Sequence, residues 1–121
     1  MPLENRDESY LWDMLKYARR VVILVGRTHF EAYKSDWALQ MSMERAMEVI
    51  GEAARRITPG FRSAHAEIPW AQIVGQRNIL AHEYGEIRCE RIWETATVHV
   101  PELILSLEIL LPDAATQFGE E

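Results

Sequence analysis

A chain of 121 residues, 48% hydrophobic and 9% aromatic, is long enough for one hydrophobic core, too short for two, and too apolar to be disordered throughout. No apolar run approaches the roughly 20 residues that cross a bilayer. Residues 1–5 lack the basic and apolar segments of a signal peptide, and the single cysteine, Cys89, excludes an internal disulfide, so a cytoplasmic protein with no membrane contact is expected. The net charge of −6 argues against a nucleic-acid partner until its distribution is read, because all 13 Lys and Arg and 13 of the 19 acids fall within residues 1–91. The surplus acids Glu94, Glu102, Glu108, Asp113, Glu120 and Glu121 lie behind them, which leaves the body of the chain able to present a local basic patch.

From Arg6 to Val25 apolar residues recur at helical spacing through Tyr10, Leu11, Met14, Leu15, Ala18, Val21, Val22 and Val25, predicting an amphipathic helix stopped by Gly26. The β-branched run at 21–25 reads as a strand by propensity alone, but in a helix such residues cost only tenths of a kcal/mol each, so the longer period decides (about 0.1–0.7 per residue). Residues 28–34 form a connector or a single turn. Ser35 or Asp36 then caps the longest helix, which runs to about Ile57 with Trp37, Leu39, Met41, Ala46, Met47, Ile50, Ala53 and Ala54 as its buried stripe. Gly51 sits mid-helix, where alanine would be more stable by about 1 kcal/mol, and so predicts the close approach of another helix backbone.

Thr58-Pro59-Gly60 stops that helix, residues 61–68 read as a loop, and Pro69 suits the first position of the next helix, with Trp70 and Ile73 as its first core contacts. The last helix spans about Arg88 to Leu110 through Ile92, Trp93, Ala96, Val100, Leu103, Ile104, Leu107 and Leu110. Pro101 should kink it by freeing a carbonyl near Thr97, and Pro112 should end it. The expected architecture is an all-α bundle of four to five helices over residues 1–112, followed by an acidic, mobile tail at 113–121.

Chemistry concentrates between Gly75 and Gly85. Arg77 supplies a permanent cation for a phosphate, His82 a base that titrates near neutrality, and Tyr84 a phenol, a set that suits RNA cleavage. On a helix Arg77 and His82 lie about 140° apart while Asn78 and His82 share a face. Asn78 can orient the imidazole or contact phosphate. The helix is expected to stop at Gly85, with His82 and Tyr84 in its last turn.

The pattern Arg77-Asn78-x-x-x-His82-x-Tyr84 resembles the signature of HEPN domains, and more closely that of the HepT toxins of HepT–MntA pairs, a type VII toxin–antitoxin family. Residues 48–54 (Glu-Val-Ile-Gly-Glu-Ala-Ala), Ile68-Pro69-Trp70 and Ile92-Trp93 carry the resemblance further, from about Arg6 to Leu111. It implies a HEPN-type helical bundle, a homodimer, and an endoribonuclease toxin acting on RNA, whether tRNA or mRNA. It also implies that Tyr84 accepts AMP from an MntA-like nucleotidyltransferase antitoxin, which silences the nuclease. Gly85 stands where relatives often carry a large apolar residue.

In the mechanism these residues allow, His82 deprotonates a ribose 2′-hydroxyl and Arg77 binds the non-bridging phosphate oxygens as charge grows on them. The nucleophile is internal to RNA, so neither metal nor cofactor is called for. One chain offers one base and no separate acid, which a cleft shared by two chains would supply. A different class of function is a non-catalytic helical adaptor whose tyrosine motif is modified and bound by the nucleotidyltransferase; a plain oligomerisation module is a third.

The remaining polar residues are less pointed. His29, His65 and His99 are scattered without metal-ligand spacing. Glu48 and Glu52 read as a solvated helix edge and Cys89 as a half-buried structural thiol rather than an activated one. Arg19, Arg20, Arg27, Arg55, Arg56, Arg62, Arg88 and Arg91 are candidates for a surface that tracks phosphates.

Overall fold

In the computed structural model, which describes residues 5–111, each helix forms where its apolar residues meet a common core. The expected stop at Pro112 and the acidic tail at 113–121 lie outside the described residues. Helix α1 (Asn5–Val25) buries Leu11, Met14, Leu15, Ala18 and Val21 completely. Val22, placed in that stripe by its hydrophobicity, is exposed instead. It follows Val21 by about 100° and so falls off the buried face. Backbone bonds from Gly26, Arg27 and Thr28 back to Val22, Leu24 and Val25 close the helix.

Helix α2 (Phe30–Tyr33) is one turn, capped by His29, whose Nδ1 accepts from the Ala32 N–H at 3.4 Å. Its Tyr33 is fully buried, with the ring 5.4 Å from that of Trp93. Helix α3 (Trp37–Arg56) is capped by Asp36, which accepts from the Leu39 N–H at 3.0 Å. Met43, Ala46, Met47, Ile50, Ala53 and Ala54 form its buried stripe. Trp37 and Met41, assigned to that stripe from sequence, are 73% and 63% exposed. They stand about 120° and 160° around the helix from Met43, outside the face that α1 and α5 cover.

Residues 61–68 are not all loop, because Pro59 opens a short helix, α4 (Pro59–Ala64), after the stop at Ile57 and Thr58. Its N-terminus is held from across the bundle by Asp7, only 2% exposed. The Thr58 N–H donates to Asp7 Oδ1 at 3.0 Å and the Thr58 hydroxyl to Oδ2 at 2.7 Å. A carboxylate out of water needs such donors, and here both come from one residue.

Helix α5 (Trp70–His82) packs on α3. The Trp70 indole N–H donates to the His65 carbonyl at 3.0 Å and fixes its start. A Cβ added at Gly51 would stand 3.2 Å from the Ile73 carbonyl oxygen, so the mid-helix glycine does mark a close backbone approach, and it sets the depth at which α5 lies.

Helix α6 (Gly85–Glu94) and α7 (Val100–Leu110) are joined by a π-helical turn at Thr95–His99, and α7 packs back on α1. The irregularity thus begins ahead of Pro101. Pro101 has no N–H for the Thr97 carbonyl, and its ring crowds that carbonyl. A wider turn, in which the Val100 N–H reaches the Thr95 carbonyl, relieves the conflict. The Thr95 and Thr97 hydroxyls donate to the carbonyls of Arg91 and Trp93 at 3.1 and 2.8 Å and soften the same stretch. All regular structure among the described residues is helical.

Candidate active site

Helix α5 carries the motif, and it is the least buried of the long helices, with Trp70 its only buried residue among those described. Ile73, Val74, Ile79 and Leu80 are partly covered, while Arg77, Asn78 and His82 are exposed. His82 is the last residue of the helix, and the Glu83 N–H still bonds to the Ile79 carbonyl. The chain then leaves helical geometry. Glu83 and Tyr84 are both extended, and Gly85 turns back into α6 with φ +61°.

That geometry corrects one expectation and explains a residue. Tyr84 is not in the last turn of α5; it stands in the two-residue connection, where it caps α6. Position 85 needs the left-handed region, which glycine enters freely and a large apolar residue does not. The Tyr84 ring is 73% exposed, and its hydroxyl donates to the Ala81 carbonyl at 3.4 Å, a long bond that leaves the oxygen open to solvent. Among the described residues Arg77, Asn78 and His82 make no side-chain hydrogen bond or ion pair.

The connection itself is braced. Arg91 pairs with Glu83 at 3.9 Å, Lys34 with Glu86 at 3.4 Å, and Arg88 with Glu44 at 2.7 Å. The last is half-buried and short, so it is the strongest of the three. Helices α2 and α3 thereby fix the first turn of α6 and, through it, Tyr84. Arg88 and Arg91 are candidates for phosphate binding from the sequence, yet both meet carboxylates, as do Arg19 with Glu108 and Arg55 and Arg56 with Glu52. Pairing with nearby acids was the signal available, but the partners of Arg88 and Arg19 lie 44 and 89 residues away.

Cys89 is buried behind this turn. Burial pushes its thiol up from the ordinary range, and the neighbouring Glu44 raises it further, against the opposing pull of Arg88. Tyr33 beside it is driven well above the usual phenol range, first by burial and then by Cys89 and Glu44. This is a structural pocket, not an activated nucleophile, as the sequence indicated.

A concavity of about 920 Å³ lies between α3, α5, the π turn and α7, and includes Ile50, Gln76, Ile79, Val100 and Leu103. None of Arg77, Asn78, His82 or Tyr84 lines it. Five residues beyond Gln72, which does line it, Arg77 is turned about 140° around α5. The motif of one chain therefore faces open solvent. Among the described residues no three of His, Cys, Asp and Glu converge as metal ligands, and no helix is long and apolar enough to cross a membrane.

The family described as "Ribonuclease HepT-like" matches residues 14–110, a stretch that contains the whole motif. Among curated relatives, "Putative RNase MJ1216" of Methanocaldococcus jannaschii is 29% identical, covering 92% of this chain and 93% of its own. "Putative RNase TTE0752" of Caldanaerobacter subterraneus subsp. tengcongensis is 35% identical over 78% of this chain and 84% of its own. "Probable ribonuclease HepT" of Thermococcus cleftensis is 29% identical over 84% and 92%. No solved structure matches significantly. With a match spanning most of the chain and an all-helical bundle that exposes Arg77 and His82 on α5 and Tyr84 just after it, this chain belongs to the HepT-like ribonuclease family.

Proposed function

We propose that the chain is an endoribonuclease toxin that cleaves RNA without a metal, with His82 as general base and Arg77 as phosphate clamp. The observation that carries this reading is their state in the fold: both are exposed on α5 and unengaged by other side chains among the described residues, in a chain where most other arginines are paired. His82 takes the proton from a ribose 2′-hydroxyl, the oxygen attacks the adjacent phosphorus, and Arg77 neutralises the charge that accumulates on the non-bridging oxygens. The 5′-oxygen leaves, giving a 2′,3′-cyclic phosphate and a 5′-hydroxyl. Asn78, on the same face of α5 as His82, supports the ring or the phosphate.

The leaving oxygen needs a proton, and a single motif has no second group to give it. A homodimer that faces two motifs across one cleft supplies it from the partner's His82. The partly covered Ile79 and Leu80 are consistent with a further surface against α5. Tyr84 is the site at which an MntA-like nucleotidyltransferase attaches AMP. Its oxygen is accessible, and a phosphodiester-linked AMP there brings negative charge to the motif and competes with RNA.

The test combines three variants. His82→Ala and Arg77→Ala should each lower RNA cleavage by roughly 10²–10⁴ with little change in melting temperature, since both side chains are exposed. Wild-type cleavage should persist in excess EDTA. Tyr84→Phe should stay active yet gain no AMP mass from the nucleotidyltransferase and ATP. Full activity in His82→Ala overturns the catalytic reading, and mass gain in Tyr84→Phe overturns the acceptor.

A further inference from the structure

Arg19, Arg55, Arg56, Arg88 and Arg91 are neutralised where they stand, whereas Arg20 and Arg27, with the loosely paired Arg45, converge away from the motif. A groove of about 600 Å³ lies between the C-terminal half of α1 and the N-terminal half of α3, lined by Tyr17, Arg20, Ile23, Arg27, Met41 and Arg45 among others. No acidic residue lines it. Arg20 lies over the Tyr17 ring, its guanidinium carbon 4.8 Å from the centroid, which holds the planar group in place without a counter-charge. Arg20 and Arg27 make no ion pair among the described residues, and Arg45 meets only Glu48, at 3.6 Å between two exposed side chains. A pair of that kind contributes little and is easily exchanged for another anion.

The groove connects to the motif. Met41 also lines a second concavity of about 520 Å³ that passes Trp37 and reaches Gly85, the residue after Tyr84. Trp37 and Met41 are the two large hydrophobic residues of α3 that stand exposed. From Trp37 to Arg45 is about 12 Å along the helix. Beyond the Lys34–Glu86 and Arg88–Glu44 pairs that also line this second concavity, the surface reads as an exposed indole, an exposed thioether and three arginines. Stacking surface beside unpaired or weakly paired cations is the chemistry that holds a single nucleic-acid strand, bases on the aromatic face and phosphates on the guanidinium groups.

We infer that this strip, from Trp37 to Arg20, Arg27 and Arg45, binds the single-stranded RNA that flanks the cut. The inference rests on the ribonuclease reading and extends it: the motif cleaves, and the α1–α3 groove supplies affinity that an acidic chain otherwise lacks. Binding here is tolerant of sequence, because it uses phosphates and stacking rather than base edges.

The test uses the full chain in a His82→Ala background, so that binding is read without cleavage, and a labelled single-stranded RNA oligonucleotide titrated at several salt concentrations. Arg20→Gln, Arg27→Gln and Arg45→Gln combined should weaken binding at least tenfold at low salt, and should flatten the plot of log affinity against log salt by about 2, from three contacts at roughly 0.7 each. Trp37→Ala should weaken binding roughly five- to 150-fold with the slope unchanged. Arg55→Gln with Arg56→Gln, on cations already paired to Glu52, should leave both quantities as they are. With His82 intact, the triple variant should raise KM for RNA while keeping kcat.

A triple variant with the parent's affinity and slope overturns the strip while cleavage by the wild type stands. If that variant instead loses its hold on the nucleotidyltransferase, the groove is a docking face for an acidic protein and the inference is equally overturned. A wild-type chain that neither binds nor cuts RNA refutes the ribonuclease reading itself.

Discussion

The position of the motif helix depends on Gly51, and two alanine substitutions measure how strongly. Both Gly51, in α3, and Gly75, in α5, lie inside helices, where replacing glycine by alanine stabilises by about 0.5–1 kcal/mol. They differ in what the new methyl meets. At Gly75 nothing lies within 4 Å, whereas at Gly51 the methyl would stand 3.2 Å from the Ile73 carbonyl oxygen. That oxygen belongs to the backbone of a 13-residue helix and cannot swing aside as a side-chain tip can, so α5 must move as a body by a few tenths of an ångström. Such overpacking costs about 1–3 kcal/mol.

Subtracting one substitution from the other cancels the propensity gain and leaves the packing cost. At roughly 4 °C per kcal/mol for a chain of this size, Gly75→Ala should raise the melting temperature by about 2–4 °C, and Gly51→Ala should melt about 4–12 °C below it. Thermal unfolding followed by circular dichroism measures both. Equal rises in the two variants would refute the reasoning, because they would mean that α5 does not rest on α3 at this point.

Asp7→Ala should cost about 2–4 kcal/mol in urea unfolding, because it removes a buried carboxylate and strands the Thr58 N–H; adding Thr58→Val should cost little more, and full additivity would break the assignment. Cys89 should react slowly with a thiol reagent near neutral pH in the native protein and rapidly in urea, since its raised pKa keeps the protonated thiol dominant until well into the alkaline range. Native and unfolded rates that match would place it at the surface. Gly85→Ala should destabilise by roughly 1–2 kcal/mol, with Gly85→Asn milder, because only the φ of +61° is at issue and nothing lies within 4 Å of the added methyl. A stabilised Gly85→Ala in chemical unfolding would reject the left-handed turn.

Much of the fold could be read from local rules. Asp36 caps α3 and Gly26 follows the end of α1 because capping is decided within a few residues. Gly51 revealed a helix contact because a glycine in that place is costly unless something needs the space. What could not be read depends on partners distant in the chain. Hydrophobicity put Trp37, Met41 and Val22 in the core, but the phase of a stripe is fixed by which face the neighbouring helices cover. Asp7 carries no local signal in the sequence, because its role rests on Thr58, 51 residues on. Pro101 announced a disturbance in the last helix, while its form, a π turn beginning six residues earlier, depends on how α6 and α7 must both reach the core.

The motif divides along the same line. Arg77, Asn78, His82 and Tyr84 were legible because their spacing is itself the signal. The exposed state of those residues was not, nor was the bracing of the turn by Lys34–Glu86, Arg88–Glu44 and Arg91–Glu83. Eight arginines looked equivalent as phosphate ligands, and only the fold separates those that meet carboxylates, such as Arg19 and Arg88, from Arg20 and Arg27, which meet none among the described residues. A net charge of −6 is compatible with an RNA partner for that reason: Arg19, Lys34, Arg55, Arg56, Arg88 and Arg91 meet carboxylates, whereas Arg77 on α5 and Arg20 and Arg27 along one groove are among the cations that meet none among the described residues. The sign of the whole chain then matters less to RNA than the few sites at which no carboxylate is within reach, because screening confines each charge to about 8–10 Å in physiological salt.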